Sequence, residues 1–449
     1  MGMKRSLIPI GWGFAGWLLS AGSLMAQIVP DQTLPVNSQV TTLGTRSTIT
    51  GGTERGVNLY YSFREFSVPT GGAAIFDNAS QIQNILTRVT GSSVSSIDGL
   101  LKANGTVNLY LLNPKGILFG PNARLQIGGS FFATTANSFK FSDGNEFSAT
   151  NPQAPPLLTV NLTPGLQTGT ISPGSTISNQ GNLIAGQDLT LQADRLDLQG
   201  QLTAGRDVTL KAQDTVQIRD TVTTPFLAQA GRDLTLQGNQ GIDILALNHP
   251  GYPFQSGGNL SLISDGAISG DAHFASGGAF QLLALAGQPA TFISLYDPII
   301  YANGDVIFGN YTGAALKVEA TGSIQAGNIR ITTPDTSGVI PTTDPDFITL
   351  TTLPSVILRA GVATVPVPNL PQTTGGTTFA SGTAAAAYPP GSIVFGWINT
   401  SSATRGNGGN ITINAPFILG ILKENSDITT NAFTGSGAGS PSIPRGSLA

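Results

Sequence analysis

The sequence predicts an all-β protein, a right-handed parallel β-helix (solenoid) with an N-terminal cap, and three observations predict it. Only 10% of the 449 residues are charged and 57 are glycine, whereas long surface helices need charged faces. Apolar and polar residues alternate with period two, as they do in half-buried strands. One short motif recurs at intervals of roughly 19 to 26 residues, which is the repeat length of solenoids.

Composition also excludes several classes of function. A formal net charge of −4 gives no support to a nucleic-acid partner, which would require clustered Lys and Arg. Without cysteine the chain has no disulfide, no thiolate nucleophile and no Cys-based zinc site. The two histidines, His249 and His273, share no motif and are interpreted as bystanders. We therefore predict no cofactor, no metal ion and no nucleic-acid partner.

The first 26 residues are typical of a secretory signal peptide. Lys4 and Arg5 precede an uncharged, mostly apolar run at residues 7–25, and cleavage is predicted between Ala26 and Gln27. A membrane anchor is the alternative, because the run is about as long as a bilayer is thick. One proline and four glycines within the run favour the cleaved peptide.

The repeated motif has the form Ala-Gly-x-Asp-Leu-Thr-Leu. Its Asp or Asn position is occupied by Asp188, Asp207, Asp233, Asn259, Asp305 and Asn328. We predict that the glycine permits a left-handed or tight corner, that the polar residue caps its own turn, and that the apolar-polar-apolar triplet enters a strand. Roughly fifteen coils stacked at about 4.8 Å would form a rod of about 70 Å.

The N-terminal third carries the most recognisable motifs. Residues 76–79, 82–91, 97–101 and above all 113–136 closely resemble the N-terminal secretion domain of filamentous haemagglutinin-like exoproteins, in the form found in their cyanobacterial members. The family motif is usually Asn-Pro-Asn-Gly-Ile, and Lys115 stands at its third position here.

The resemblance implies the passenger of a two-partner secretion system. Such a chain is exported by Sec, and the periplasmic domains of an outer-membrane barrel of the Omp85 class then recognise its N-terminal domain. It crosses that membrane unfolded and folds outside, so the implied location is secreted or cell-surface. The sequence agrees, because a cysteine-free chain cannot lock itself with disulfides and coil stacking can propagate from one end. An adhesin or cell-surface rod that meets a glycan or cell-surface receptor is the predicted role.

The predicted layout follows the chain from these signals. Proline, threonine and alanine at residues 333–390 disfavour successive tight coils, although residues 347–350 and 355–358 are each predicted to add a strand. Residues 434–449 show no strand alternation. The segments are a signal peptide (1–26), the two-partner secretion domain (27–165), β-helix repeats (166–332), an excursion (333–390), final coils (391–433) and a frayed tail (434–449).

The secretion motif consists of Asn113, Pro114, Lys115, Gly116 and Ile117. Asn before Pro favours a turn, proline fixes φ, and glycine allows a positive φ before the isoleucine returns inward. These properties favour a structural corner, and direct recognition by the transporter stays open as the second interpretation. In that second case Lys115 is the exposed contact, since its charge has no role in a β-helix core.

A polysaccharide lyase or hydrolase is the alternative function, because β-helices also carry such enzymes. They place two or three carboxylates, with Arg or Lys, in one groove on adjacent coils. The motif aspartates all occupy the same corner position and are interpreted as turn caps. We therefore predict no enzyme and no catalytic residue. Three carboxylates converging in one groove would favour the alternative.

Overall fold

The computed structural model describes residues 27–142, 144–152, 167–368, 370, 388–400 and 409–422. The predicted signal peptide and the segment 434–449 lie outside these residues, as do parts of the predicted secretion domain, excursion and final coils. Within them the α-helix is limited to Phe347–Thr352, and no helix there is long and apolar enough to cross a membrane.

The described chain winds into a parallel β-helix with three faces, which confirms the predicted fold class. Each coil gives one strand to each face in turn, and each strand pairs in parallel with the equivalent strand of the coils before and after it. The pairing is in register along most of its length, so side chains of the same parity stack from coil to coil.

The strands of the three faces, in chain order, have the following bounds. The first face contains Arg46–Gly51, Ala73–Phe76, Leu100–Ala103, Arg124–Gln126, Asn182–Ala185, Gln201–Ala204, Leu227–Ala230, Phe254–Ser256, the second half of Ala267–Ser276, Pro298–Ala302, Leu316–Ala320, Ser355–Ala360 and Asn410–Asn414. The second face contains Asn58–Phe66, Asn84–Val89, Asn108–Leu112, Phe131–Thr134, Leu189–Ala193, Val208–Ala212, Leu234–Gly238, Leu260–Ile263, Phe280–Leu283, Val306–Ile307, Ile324–Gln325, Ile393–Asn399 and Ile418–Leu422. The third face contains Ser95–Ile97, Ile117–Phe119, Thr176–Asn179, Arg195–Leu198, Thr215–Arg219, Gly241–Leu245, the first half of Ala267–Ser276, Phe292–Ser294, Tyr311–Ala314 and Ile329–Thr333, which pairs with the end of Ile393–Asn399.

The first and second faces each stack thirteen strands in the described residues, fewer than the roughly fifteen coils predicted. Twelve intervals of about 4.8 Å give a stack of about 58 Å rather than about 70 Å. The prediction was too high because two insertions leave the coil path and consume residues without adding a layer.

Antiparallel strands cover the N-terminal end of the stack, so the predicted cap is confirmed. Ile28–Pro30 pairs with Asn58–Phe66, and Ser38–Leu43 forms a hairpin with Arg46–Gly51. A further short strand, Thr53–Arg55, also pairs with Asn58–Phe66. Ile28 is buried against the first coil, so the cap shields apolar side chains that the terminal coil would otherwise expose.

A small antiparallel sheet leaves the coil path between the second and third faces, and the sequence did not predict it. This side sheet consists of Ser138–Lys140, Glu146–Ser148 and Gln167–Thr168. Its Phe139 and Phe147 are buried with outward-facing side chains of the second face, in a cluster that also contains Tyr60, Leu86 and Leu112.

Inward-facing side chains form one continuous core along the β-helix. The second face illustrates the stacking, with fully buried residues at one equivalent position in five successive coils, namely Leu189, Val208, Leu234, Leu260 and Phe280. Because each apolar residue is roofed by the next coil, no coil has to bury its own face alone.

The motif aspartates bond the next coil, not their own turn as the sequence predicted. Oδ1 of Asp207 accepts the backbone N–H of Asp233 at 3.1 Å, and Oδ1 of Asp233 accepts that of Asn259 at 2.8 Å. Arg232 also forms an ion pair with Asp207 of the preceding coil. The result is a corner ladder in which each polar side chain satisfies a donor of the following layer.

The corner ladder also corrects the alignment of the last motif copies. Asp305 accepts the N–H of Ser323 at 2.6 Å, so its partner in the next coil is Ser323. Asn328 belongs to another corner, where its own N–H is donated to Asn310 at 2.9 Å.

The motif glycines are needed for close approach between coils, not for a left-handed corner. None of Gly186, Gly205, Gly231 and Gly277 has a positive φ. A Cβ on Gly205 would lie 2.2 Å from the carbonyl oxygen of Gly186, and one on Gly231 would lie 2.1 Å from that of Gly205. The glycines therefore stack backbone on backbone, at a distance that no side chain allows.

The predicted excursion begins outside the coils, although the segment returns to them sooner than expected. Residues 347–350 were predicted as a strand, but Phe347–Thr352 is a short helix. The helix buries Leu350 against outward-facing residues of the first face, and this packing outweighs the strand preference of its Ile and Thr residues. Ser355–Ala360 then rejoins the first face as a regular strand.

The close approach of the glycines gives a direct test. Gly205→Ala should lower the free energy of unfolding by about 1–3 kcal/mol, because the added methyl group forces the two coils apart. Gly241→Ala is the matched control, since its nearest backbone neighbour would be 3.5 Å away. Urea denaturation of both variants measures the effect, and equal midpoints would contradict the close-approach argument.

Candidate functional site

The predicted secretion motif forms a turn between the second and third faces, and Asn113 fastens it to the preceding coil. The Asn113 side chain is fully buried, and its Nδ2 donates to the carbonyl of Ser93 at 3.0 Å and to Ser95 Oγ at 2.9 Å. Its Oδ1 accepts the backbone N–H of Lys115 at 2.9 Å. All three of these bonds depend on a side-chain amide, so no apolar residue could replace Asn113.

Gly116 and Ile117 return the chain to the core. Gly116 has φ +119°, and a Cβ there would lie 3.0 Å from the carbonyl oxygen of Thr176 in the next coil. Its N–H is donated to the carbonyl of Asn113 at 3.1 Å, which closes the turn. Ile117 is then buried at the start of a third-face strand. Glycine is required at this position both by φ and by space.

The outer surface of this turn carries one charge beside two apolar side chains. Pro114 is buried, Lys115 is exposed, and Val94 and Leu118 are 48% and 39% exposed. A Cβ on Gly116 would lie 3.6 Å from Val94, so Val94 adjoins the turn, and Leu118 follows Ile117 directly in the chain. We call Val94, Lys115 and Leu118 the turn patch. It offers a surface for contact and no group arranged for catalysis.

The predicted cleavage site is only half described. Ala26 lies outside the described residues, and Gln27 is exposed at the start of the cap. The backbone carbonyl of Gln27 accepts the N–H of Ser67 at 3.1 Å. The chain is therefore held to the cap from Gln27 onward.

Arg88, which no sequence motif singles out, is a structural residue near the secretion motif. It is 1% exposed, and its guanidinium donates to Ser62 Oγ at 2.8 Å, to the carbonyl of Ser148 at 2.7 Å and to Thr33 Oγ1 at 2.9 Å. The same group lies 4.4 Å from the ring centroid of Phe147. A single side chain thus joins the β-helix, the N-terminal segment and the side sheet.

Charge on Arg88 is balanced within the same network. Burial lowers the pKa of Arg88 to about 10, an effect that the negative charge of Asp31 opposes, so the guanidinium stays protonated at neutral pH. The Asp31 carboxylate accepts hydroxyl hydrogen bonds from Thr33 at 2.6 Å, Ser62 at 2.7 Å and Thr90 at 2.7 Å.

A sequence signal for this network did exist. Tyr60, Leu86 and Leu112 occupy outward positions of the second face, where a solvated β-helix shows polar residues, and all three are buried by the side sheet. Arg88 is in phase with Leu86 on the same strand. Apolar residues at outward positions therefore indicate that something covers this surface.

A second polar cluster fastens the predicted excursion to the first face. Lys317 Nζ lies 2.9 Å from carboxylate oxygens of both Asp344 and Asp346. Arg359 contacts Glu319 at 2.5 Å and Asp346 at 2.6 Å. The carboxylates of Glu319, Asp344 and Asp346 thus converge. A polysaccharide lyase or hydrolase, the alternative function, would need such an arrangement.

The pairing of these carboxylates argues for a structural role. Burial alone would raise the pKa of Asp346. Hydrogen bonds from Arg359 and Lys317 outweigh this effect, so the pKa of Asp346 is lowered overall. A carboxyl held in this way is ionised at neutral pH and cannot serve as a proton donor. The cluster therefore acts as an ion-pair anchor.

His273, which the sequence analysis interpreted as a bystander, takes part in a third polar cluster. Its Nε2 lies 2.5 Å from Oδ2 of the buried Asp297, and Ser337 Oγ donates to the same carboxylate at 3.3 Å. The backbone N–H of Ser337 donates to Asp335 Oδ1 at 2.8 Å. Burial and then the charge of Asp297 raise the pKa of Asp335 to about 7, and a protonated Asp335 can donate to Asp297. Among the described residues, no group of three or more His, Asp or Glu side chains is arranged to hold a metal ion.

Comparison with known proteins places this geometry in a family. The model of the TPS (two-partner secretion) secretion domain matches residues 26–282. Among solved structures the chain is similar to the HMW1 secretion domain from Haemophilus influenzae, with 15% identity over 90% of this chain and 99% of that one and a TM-score of 0.42. It is also similar to the filamentous hemagglutinin secretion domain, with 16% identity over 68% of this chain and 96% of that one and a TM-score of 0.37. No curated protein matches the sequence.

Removal of Arg88 should release the side sheet. Arg88→Met leaves the acceptors on Ser62, Ser148 and Thr33 without their donor and Asp31 without its cation, so we expect the free energy of unfolding to fall by about 3–5 kcal/mol. Limited proteolysis should cut residues 138–152 faster than in the parent protein. Arg64→Met, at an exposed position, is the matched control. Unchanged protection of the side sheet in Arg88→Met would contradict its anchoring role.

The Asp335–Asp297 contact should make stability depend on pH. Because the pKa of Asp335 is raised from 3.8 to about 7 in the folded protein, its contribution is fully present below about pH 3.8 and is lost as the pH rises through 7. Asp335→Asn keeps the hydrogen bonds without the charge. We expect the variant to gain on the order of 1 kcal/mol over the parent between pH 5 and pH 8. Thermal unfolding across this range, with exposed Asp265→Asn as control, measures the gain, and parallel curves would contradict the prediction.

Proposed function

This chain belongs to the TPS secretion domain family and is therefore a two-partner secretion exoprotein, and we propose that the turn patch is where its outer-membrane transporter recognises it. Members of this family are exported across the outer membrane through a dedicated transporter partner. The finer proposal is that the partner is a barrel of the Omp85 class, whose periplasmic domains contact Lys115 and its neighbours after export by Sec.

The exposure of Lys115 is the observation that carries this proposal. The other members of the motif are buried and have roles in the turn, whereas Lys115 is exposed, as are the apolar Val94 and Leu118 of the turn patch. A patch that combines a cation with apolar side chains suits a contact that is steered by charge and closed by apolar burial. Asn113 and Gly116 act indirectly, because they hold Lys115 in position.

Folding outside the cell is consistent with the way the coils interact. Each coil contacts mainly its neighbours, so folding can begin at the capped N-terminal end and add one layer at a time. The residues from 27 to about 165 would provide the cap, the motif turn and the first coils. The coils that follow would extend the rod.

The mature chain would act as an adhesin or cell-surface rod. Outward positions on the repeat strands carry ladders of uncharged polar residues, such as Thr190, Thr209 and Thr235 on the second face. Such ladders favour weak contacts repeated along a surface. We propose no catalytic role for the three converging carboxylates, since each one has a cationic partner.

Secretion assays can separate recognition from folding. In cells that also produce the cognate transporter, Lys115→Glu should reduce the extracellular yield at least fivefold, while its free energy of unfolding stays unchanged because the side chain is exposed. Lys211→Glu, the same change at an exposed repeat position, should be secreted normally.

The turn variants give the second half of this assay. Asn113→Ala and Gly116→Val should reduce both secretion and stability, because they remove the bonds and the space that form the turn. Normal yield from Lys115→Glu would contradict direct recognition. Normal yield from both turn variants would also remove the motif from the secretion mechanism.

A further inference from the structure

A cavity of about 350 Å³ opens on the first face, away from the turn patch. Its floor is formed by strands at residues 272–276 and 298–302, one wall by the loop at 247–252, and the other wall by the excursion at 339–344. The side chains that matter here are those of His249, Tyr252, His273, Tyr301 and Asp344. Cavities of roughly 300–1,000 Å³ are the usual size of small-molecule sites.

Both ends of the excursion wall are fixed, so the cavity is preformed. On one side Ser337 donates to the buried Asp297, and on the other side Lys317 holds Asp344 at 2.9 Å. Between these polar contacts Ile340 packs with Ile299 in an apolar cluster that also includes Leu350 of the helix. A wall held by two polar contacts and an apolar cluster needs little ordering when a ligand binds.

Two polar side chains of the cavity, His249 and Tyr252, are neutral at pH 7, and Asp344 supplies a carboxylate. Nδ1 of His249 accepts the N–H of Gly251 at 3.1 Å, so the proton of the neutral ring lies on Nε2, which can donate. Burial lowers the pKa of His249 and raises that of Tyr252, so both are neutral at pH 7. Asp344 supplies carboxylate oxygens that accept hydrogen bonds.

Two aromatic rings give the cavity an apolar surface beside these polar groups. The rings of Tyr252 and Tyr301 lie 5.7 Å apart between centroids with an interplanar angle of 77°. Tyr301 is almost fully buried in the floor, whereas Tyr252 is partly exposed at the wall. A ligand with both C–H and O–H groups on one ring would match the two kinds of surface.

The charges around the cavity disfavour an anion. Lys317 is 2% exposed, and both Lys317 and Arg359 are already paired. Together with Glu319, Asp344 and Asp346 they form a group with two positive and three negative charges, a net charge of −1. A sulfate, phosphate or uronic acid would meet this negative potential without a free cation.

We propose that this cavity binds a neutral sugar unit of a glycan. Ring hydroxyls would accept from His249 Nε2 and donate to Asp344, and the C–H face of the sugar would lie on Tyr252. Each site would bind weakly alone, and many rods on one surface would bind together with higher avidity. This inference goes beyond the proposed secretion role and does not depend on it.

Titration calorimetry on the purified secreted protein tests the proposal with four neutral probes, maltose, cellobiose, lactose and N,N′-diacetylchitobiose. We expect at least one to bind. Tyr252→Ala and His249→Ala should each weaken that binding at least tenfold, because they remove the stacking surface and the donor. Tyr296→Ala, an exposed tyrosine outside the cavity, is the matched control and should bind like the parent.

Three results would overturn the proposal. They are no binding of any of the four probes, equal binding by the parent and the two cavity variants, and tighter binding of digalacturonate than of every neutral probe. Extracellular yield of the cavity variants is measured in parallel and should equal that of the parent. A secretion defect of Lys115→Glu is independent of these results, so failure of one proposal is distinguishable from failure of the other.

Discussion

Successive coils must approach one another to the spacing of paired strands, about 4.8 Å, on every face and at every corner, and the rest of the structure depends on this constraint. On the faces, inward-facing apolar side chains stack at this spacing and form one continuous core. At the motif corners a side chain would prevent it, since a Cβ on Gly205 would lie 2.2 Å from a backbone oxygen. Glycine is therefore abundant because backbones touch there.

The same constraint decides where the chain can accept insertions. Extra residues cannot enter a coil without breaking the stack, so they leave it at a corner and fold back over an outer face. The side sheet does so over the second face and the excursion over the first. Each insertion is held by one buried cation of the β-helix, Arg88 or Lys317, which bonds acceptors of the inserted segment. Apolar outward residues occur beneath both insertions.

Sequence periodicity was sufficient to predict the β-helix and a strand at residues 355–358, because alternation and repeat length depend on the core. Periodicity could not predict the hydrogen bonds and packing contacts that a residue makes with neighbouring coils. Asp207 looks like a turn cap in the sequence, and only the stack shows that its acceptor serves Asp233. Residues 347–350 favour a strand locally, but packing of Leu350 makes them helical. The apolar outward residues near Arg88 indicate a cover, but no local pattern identifies partners that lie 55 residues from Arg88 or 24 residues from His273.

The corner ladder has a direction. Asp188 of one coil accepts the backbone of Asp207 and pairs with Arg206, both from the following coil, and the relation repeats at Asp207 with Arg232. A growing stack would therefore present a carboxylate or amide oxygen at these corners of its leading end, ready for the donors of the segment that arrives next. Docking of each new coil would therefore make growth of the stack directional, from the cap toward the C-terminal coils.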